Sequence, residues 1–391
     1  MTESTTGTVD PKILSKVKSF SGYVEAKLGF RNHWYPVGFT ADFAEGEPEK
    51  RKILGLDLLF KRIDGKVFAI RDRCVHRGVP LSTKPECWTK DTITCWYHGF
   101  TYRFDTGKLV NVLSMPNSRL IGQTGVTTYP VQEMKGVVFV FIGDTDKPVP
   151  PLSHDVPPQF LEPDLEIRGK HREIKSNWRT GVENGWDSIH LYLHRDAAIV
   201  KQERLLLPLA MPAKDYSVDD FYKIIDEPEG PKGIRTTKGE FVAPIFDGVV
   251  EGQVVVRGAD DGTEKIPDFS SVWLPGIVVI DPWPARTMVQ MEWYVPVDEK
   301  THVYFQTIGK RVKNDDDRAQ WERDFKEKWL PLALDGFNED DIWARIELEK
   351  AYQHDTMWID EQLAEPDVMV MRWRQIAHKH NRGIQRPEHL R

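Results

Sequence analysis

Four side chains able to bind a soft or borderline metal lie in two short arms of this sequence. Cys74 and His76 sit in CVHRG, and Cys95 and His98 in CWYHG. The spacing is Cys-x-His, eighteen residues, then Cys-x-x-His. Two centres suit such donors. One is a structural zinc ion, although zinc sites usually pair cysteines in one arm and histidines in the other. The other is a [2Fe–2S] cluster with both thiolates on one iron and both imidazoles on its mate. Mixed arms favour the cluster, because two parallel loops would each deliver a cysteine and then a histidine. Gly78 and Gly99 follow the arms and suit tight turns that bring backbone close to a cluster.

A second group lies in ENGWDSIHLYLHRD, Glu183–Asp196. On a helix, His190 and His194 fall one turn apart on one face, and Asp187 joins their stripe. One further carboxylate would complete the two-histidine, one-carboxylate set that non-haem Fe(II) uses, with positions left open for dioxygen. Alone, the pair reads more simply as surface or core histidines; a nearby iron–sulfur centre reverses that preference. GFNEDDIWARIE, Gly336–Glu347, offers Asp340 and Asp341 at a helix start. Local pattern explains these without metal: Asn338 as N-cap, with Asp341 in the first turn favoured by the helix dipole.

The two arms, with RGVPLS and GFTYRFDTGKL after them, resemble the Rieske family. Together with a proline-rich linker, D-x-x-H-x-x-x-H and a late helix-borne aspartate, they resemble the terminal oxygenase subunits of ring-hydroxylating Rieske oxygenases over nearly the whole chain. The short histidine spacing, in ENGWDSIHLYLH, and the GFNEDDIWAR context are most similar to the carbazole-dioxygenase branch. The resemblance implies Cys74, His76, Cys95 and His98 as ligands of one [2Fe–2S] cluster. It implies His190, His194 and Asp341 as ligands of one mononuclear non-haem Fe(II). Asp187 is then the residue linking a neighbouring subunit's Rieske histidine to His190, and Asp340 a bystander. Also implied are electrons from a ferredoxin reduced by an NAD(P)H-dependent reductase, dioxygen and an aromatic substrate, and a head-to-tail homotrimer. Gly185 would accept the substrate N–H, and Leu191, Val278, Ile280, Trp283, Gln290 and Phe337 would wall the pocket. Angular dioxygenation of a carbazole-like ring is the reaction implied. A Rieske monooxygenase or lateral dioxygenase acting on another heteroaromatic, such as an oxoquinoline, is the alternative.

The positioning elements follow from patterning. DLLFKRIDGKVFAIRD and YPVQEMKGVVFVFIGD read as hairpins, and ITCWYHGFTYRFDTGKLV as strand–turn–strand. Six prolines between Asp144 and Asp164 mark a boundary. Beyond it the chain reads as α+β. SVWLPGIVVI, TMVQMEWYVPVD and THVYFQTIGKRV form an antiparallel sheet, and a helix carries Trp321, Phe325 and Trp329 on one face. Leu207–Ile266 reads as surface strands, loops or a lid. The expected organisation is an N-terminal helical segment 1–33 on the catalytic domain, with one helix over Pro11–Phe30. A small all-β Rieske domain at 34–155 and an α+β catalytic domain at 156–391 complete it, the latter's antiparallel sheet flanked by helices.

Composition sets outer limits. With 53 basic and 60 acidic residues the net charge is −7, no support for nucleic-acid binding. Lys12, Lys16, Lys18, Lys27 and Arg31, and separately Arg71, Arg73 and Arg77, form basic clusters that suit solvated surface or a small acidic partner. Three cysteines argue against a disulfide framework, and neither a signal peptide nor a membrane span is evident, so a cytoplasmic protein is expected. Cys87 has no place in the ligand pattern.

Overall fold

The computed structural model describes residues 8–187, 189–203, 222–236, 240–243, 245–250, 253–257, 264–267, 270–364 and 367–390. The chain divides into a larger unit, Met1–Phe30 with Pro151–Gln385, and a smaller one, Arg31–Pro150 with Arg386–Arg391. Among described residues no helix is long and apolar enough to cross a membrane.

The smaller unit is built from antiparallel sheets. Pro48–Ile53, Leu56–Ile63, Lys66–Arg71 and Thr128–Tyr129 form one; His33–Phe39, Val137–Ile142 and Val131–Met134 a second; Thr92–Thr94, Phe100–Arg103 and Leu109–Val112 a third. Alternating runs turn at Asp64-Gly65 and Lys135-Gly136, where both residues of each pair take positive φ. That is the conformation a two-residue hairpin loop needs to match strand twist. Both hairpins stand where the alternation placed them. Leu59, Ile70, Leu81, Ile93, Tyr102, Leu109 and Val126 form the core, into which Cys74 and Cys95 are packed. Cys87 packs, half-buried, at its edge.

The larger unit centres on one seven-stranded antiparallel sheet. Its order is Leu165–Ile174, Thr301–Arg311, Met288–Asp298, Ile277–Ile280, Ser270–Trp273, Gly233–Thr236, Tyr222–Ile225. Helix Trp178–Trp186 lies across the sheet's middle strands and against helix Asn338–Tyr352. Trp321, Phe325 and Trp329 are buried in a satellite core, as their helical spacing required. The segment Phe325–Phe337 is wound as a wide π-helix with Pro331 inside it. Proline has no N–H to give an α-turn, and π-turns gather at functional sites. This one leads directly into Asn338–Tyr352.

Three expectations need correction. Pro11–Phe30 is not one helix but three short pieces, Pro11–Lys16, Lys18–Phe20 and Ser21–Glu25. Ile13, Val17, Phe20 and Val24 are buried all the same, because a broken segment can still turn each apolar residue inward. Lys27 is committed to Asp355 at 2.9 Å and Arg31 to Asp144 at 2.8 Å, which removes both from a free basic face. Asn338 does not cap its helix; its amide is used elsewhere. Part of the Leu207–Ile266 reading lies outside the described residues.

Helix Trp178–Trp186 is anchored by a buried ion cluster. Arg374 donates to Glu183 through Nε at 2.8 Å and Nη2 at 2.7 Å, and to Glu361, which also accepts from Tyr352 at 2.6 Å. Replacing Arg374 by methionine removes the guanidinium that lies over Phe20 and Trp358 and strands the Glu183 and Glu361 carboxylates. A loss of about 3–5 kcal/mol is expected, read as a lower thermal midpoint. An unchanged midpoint would refute the anchoring role.

Candidate metal centres

The two Cys/His arms fold as copies of one turn. Cys74 N donates to Val79 O at 2.9 Å and Cys95 N to Phe100 O at 2.7 Å. Gly78 N closes back on Cys74 O at 2.9 Å, and Gly99 N on Cys95 O at 3.0 Å. Gly78 and Gly99 sit at φ +74° and +70°, the left-handed region where a side chain is strained. At Gly99 a Cβ would also stand 2.8 Å from the Leu113 side chain. This local symmetry sorts the four donors by type. Both thiols are buried and unjoined by a disulfide, and Tyr102 Oη lies 3.1 Å from Cys74 Sγ. Burial pushes the Cys95 thiol up, with the nearby Cys74 adding to it. Both imidazoles lie at the exposed tip, Nδ1 facing Nδ1 at 3.2 Å, with His76 stacked on Phe100. A buried thiol pair and a separate imidazole pair are what a Rieske cluster needs, one pair per iron.

In the larger unit, helix Trp178–Trp186 ends at Asp187 and a 3-10 turn spans His190–Asp196. The single helix expected through Asp187, His190 and His194 is therefore absent. The reason is local: the Asp187 side chain accepts from Ile189 N at 2.8 Å, and its carbonyl meets His190 Nδ1 at 2.6 Å. That ring contact turns His190 Nε2 inward. It lies 3.4 Å from Asp341 Oδ1, and His194 Nε2 lies 3.3 Å from the same oxygen. One ligand atom from each of these three residues falls within 4.8 Å of the others.

Asp340 takes no part in that convergence. Its half-exposed carboxylate lies 3.4 Å from the other ring nitrogen, His194 Nδ1. Among the described residues His194 Nε2 and Asp341 Oδ1 are buried without hydrogen-bond partners, a cost that a bound cation would offset. Burial pulls the His190 imidazole down, yet the carboxylates of Asp341 and Asp187 outweigh it and push it up to about 9. Burial pushes the Asp341 carboxyl up, but His194, His190 and Arg345 hold it well below the usual range. The two shifts are two sides of one pairing, imidazoles against the Asp341 carboxylate. Two imidazoles and one carboxylate at these separations fit a mononuclear iron.

The expected pocket residues are partly gathered here. Phe337 stacks on His194 at 3.7 Å and touches Trp283 at 4.8 Å between ring centres. In the sheet Ile280 stands opposite Gln290 and Val278 opposite Glu292. Gly185 is backed by the sheet: a Cβ there would lie 2.3 Å from Tyr294 Oη. Leu191 is half-buried on the 3-10 turn, between the two histidines.

Sequence reasoning missed a buried polar cluster formed by Glu292, Tyr294, Tyr304, Asn338, Arg345 and Asn184. A signal was present. Gln290, Glu292 and Tyr294 alternate along an apolar strand and so share one face, and a charge on such a face demands partners.

Fold and sites together define a two-centre iron oxygenase. The Rieske [2Fe–2S] domain family matches residues 33–130 and the homotrimeric ring hydroxylase family residues 141–385. The chain belongs to the Rieske ring-hydroxylating oxygenases, and as such carries a [2Fe–2S] cluster and a mononuclear iron. It is 49% identical over 382 residues to the terminal oxygenase component of carbazole 1,9a-dioxygenase from Metapseudomonas resinovorans, covering 98% of this chain and 99% of that one. The corresponding component from a Sphingomonas species is 46% identical, over 95% of this chain and 97% of its own. A solved, carbazole-bound oxygenase variant in complex with the ferredoxin of carbazole 1,9a-dioxygenase superposes with a TM-score of 0.91. The identity there is 49%, over 98% of each chain.

Proposed function

We propose that this chain is the terminal oxygenase of a multicomponent carbazole 1,9a-dioxygenase. It is a cytoplasmic homotrimer that takes electrons from a ferredoxin, itself reduced by an NAD(P)H-dependent reductase. The observation that carries the reading is the meeting of His190 Nε2, His194 Nε2 and Asp341 Oδ1 in one buried pocket, in a chain so close to the carbazole enzymes. The reading assigns Cys74, His76, Cys95 and His98 to the cluster, and His190, His194 and Asp341 to the iron.

When bound, the cluster supplies single electrons and the mononuclear iron supplies dioxygen chemistry. The protein's own residues do the rest. Asp187 orients His190 through its backbone carbonyl and offers its carboxylate to an exposed cluster imidazole, His76 or His98, of the neighbouring subunit. Coupling through such an outer partner is a recurring device at metal sites. The Gly185 carbonyl accepts the substrate N–H and so aims the angular carbon and its neighbour at the open positions. Leu191, Val278, Ile280, Trp283 and Phe337 form apolar walls that exclude water, with Gln290 as a polar point among them. Addition of both atoms of one dioxygen, with two electrons and two protons, would place one hydroxyl on the angular carbon and one on its neighbour. The angular carbon is then a hemiaminal, whose C–N bond breaks as the nitrogen takes up a proton and the ring gives one up to become aromatic again. The diol so isomerises to 2′-aminobiphenyl-2,3-diol.

The test is a product assay with carbazole, NADH, a reductase and a ferredoxin. Accumulation of 2′-aminobiphenyl-2,3-diol is expected. Formation of only lateral diols, or only monooxygenated products from other heteroaromatics, would overturn the substrate assignment.

A further inference from the structure

Glu292 is nearly fully buried, and its carboxylate is surrounded by donors. Oε1 accepts from Gln290 Nε2 at 2.6 Å, from Asn338 Nδ2 at 2.7 Å and from the Tyr304 hydroxyl; Oε2 accepts from Tyr294 Oη at 2.6 Å. The balancing charge is Arg345, fully buried. Its Nε donates to Asn184 Oδ1 at 2.6 Å and its Nη2 to Tyr294 Oη at 3.0 Å, while the guanidinium lies over the Tyr304 ring. Nothing in the mechanism above uses this cluster, though it touches the site from behind. Tyr294 Oη and Glu292 Oε2 pack directly against Gly185.

The consequence falls on Gln290. A carboxylate that only accepts forces the NH2 end of the neighbouring amide towards itself. Asn338 reinforces this, since its own NH2 is spent on Glu292 and Tyr304 and its oxygen is left facing Gln290 Nε2 at 3.3 Å. Gln290 therefore cannot turn. Its Oε1 is buried and has no hydrogen-bond partner among the described residues. An unpaired buried acceptor is costly unless a ligand completes it.

We infer that Glu292 is a positioning residue for substrate choice: it locks the Gln290 carboxamide so that Oε1 stands as an acceptor for the N–H of a heteroaromatic ligand. This rests on the substrate reading proposed above. It assigns part of the preference for an N–H heterocycle over its oxygen isostere to a residue that need not touch the substrate. A pocket holding a buried acceptor discriminates against a ligand that lacks the donor.

The experiment is a double-mutant cycle on the cluster-loaded, iron-loaded trimer, with Glu292→Gln, Gln290→Met and the pair. The readout is the ratio of equilibrium dissociation constants for dibenzofuran and carbazole, with cluster absorbance and iron content as checks of integrity. Glu292→Gln should lower the preference for carbazole about fivefold to tenfold, the worth of one hydrogen bond. In the double variant the preference should fall no further than in Gln290→Met alone. An unchanged ratio in Glu292→Gln, or two independent losses that multiply, overturns the inference. Should Glu292→Gln not fold, Tyr304→Phe removes one donor from Oε1 and should give a smaller shift of the same sign; no shift overturns it. A crystal structure of whichever of these two variants folds decides the same point without substrate: a Gln290 amide that leaves Asn338 supports the lock, and an unmoved one sinks it. A wild-type enzyme that forms no angular product removes the substrate reading alone, because that structure still decides the positioning role.

Discussion

Asp341→Ala is expected to strip the mononuclear iron and reduce turnover to background, while the red-brown cluster remains. Asp341 supplies the one carboxylate oxygen on which both histidine Nε2 atoms converge, at 3.4 and 3.3 Å. Without it, two neutral imidazoles would have to hold a divalent ion with no negative charge beside them. A two-histidine set without its carboxylate is no longer the facial triad that holds non-haem iron. Iron content should fall by about one third, since a [2Fe–2S] cluster keeps the other two irons, and the visible spectrum should not change. Asp340→Ala is the control. Its carboxylate approaches only His194 Nδ1 and is 42% exposed, so that variant should retain its iron. Full iron in Asp341→Ala, or loss of iron only in Asp340→Ala, would reverse the assignment of the two aspartates.

Asp187→Ala should leave both metals bound and still lower turnover by about a hundredfold, the upper range for removing an outer-shell partner. The contact that orients His190 comes from the Asp187 backbone carbonyl at 2.6 Å, which alanine preserves. What alanine removes is the carboxylate, whose Oδ1 accepts from Ile189 N at 2.8 Å. Burial pushes this carboxyl up, with His190 opposing, so it sits in a poorly solvated place beside a ligand. Such a group is costly to keep there without a task. Metal analysis and single-turnover kinetics separate the outcomes. Intact metals with slow transfer of electrons from a pre-reduced cluster support the bridge, and full activity removes it.

Much of this was legible in one dimension because metal ligation and hairpin turns are local. Cys74-x-His76 and Cys95-x-x-His98 each fit within one turn, and Asp64-Gly65 and Lys135-Gly136 each close a hairpin without help from the rest of the chain. The convergence of His190, His194 and Asp341 was only half legible. His190 and His194 are near neighbours, but the local pattern read Asp341 as part of a helix cap, and only the resemblance preferred it to Asp340. Adjacent residues on a helix point about 100° apart, and which of them faces the histidines depends on how helix Asn338–Tyr352 is rotated against helix Trp178–Trp186.

The residue types and spacings alone offered four donors suited to a first metal centre; the histidine pair of the second read as a metal site only beside that centre and through the resemblance. Packing decided the rest. It brought the Asp341 carboxylate, and not that of Asp340, to both histidine Nε2 atoms, and turned Asn338 from a cap into part of the cluster around Glu292. These are contacts between residues tens to more than a hundred positions apart. Propensity and periodicity describe a residue's own neighbourhood, so they carry no record of which strand or helix is folded against it.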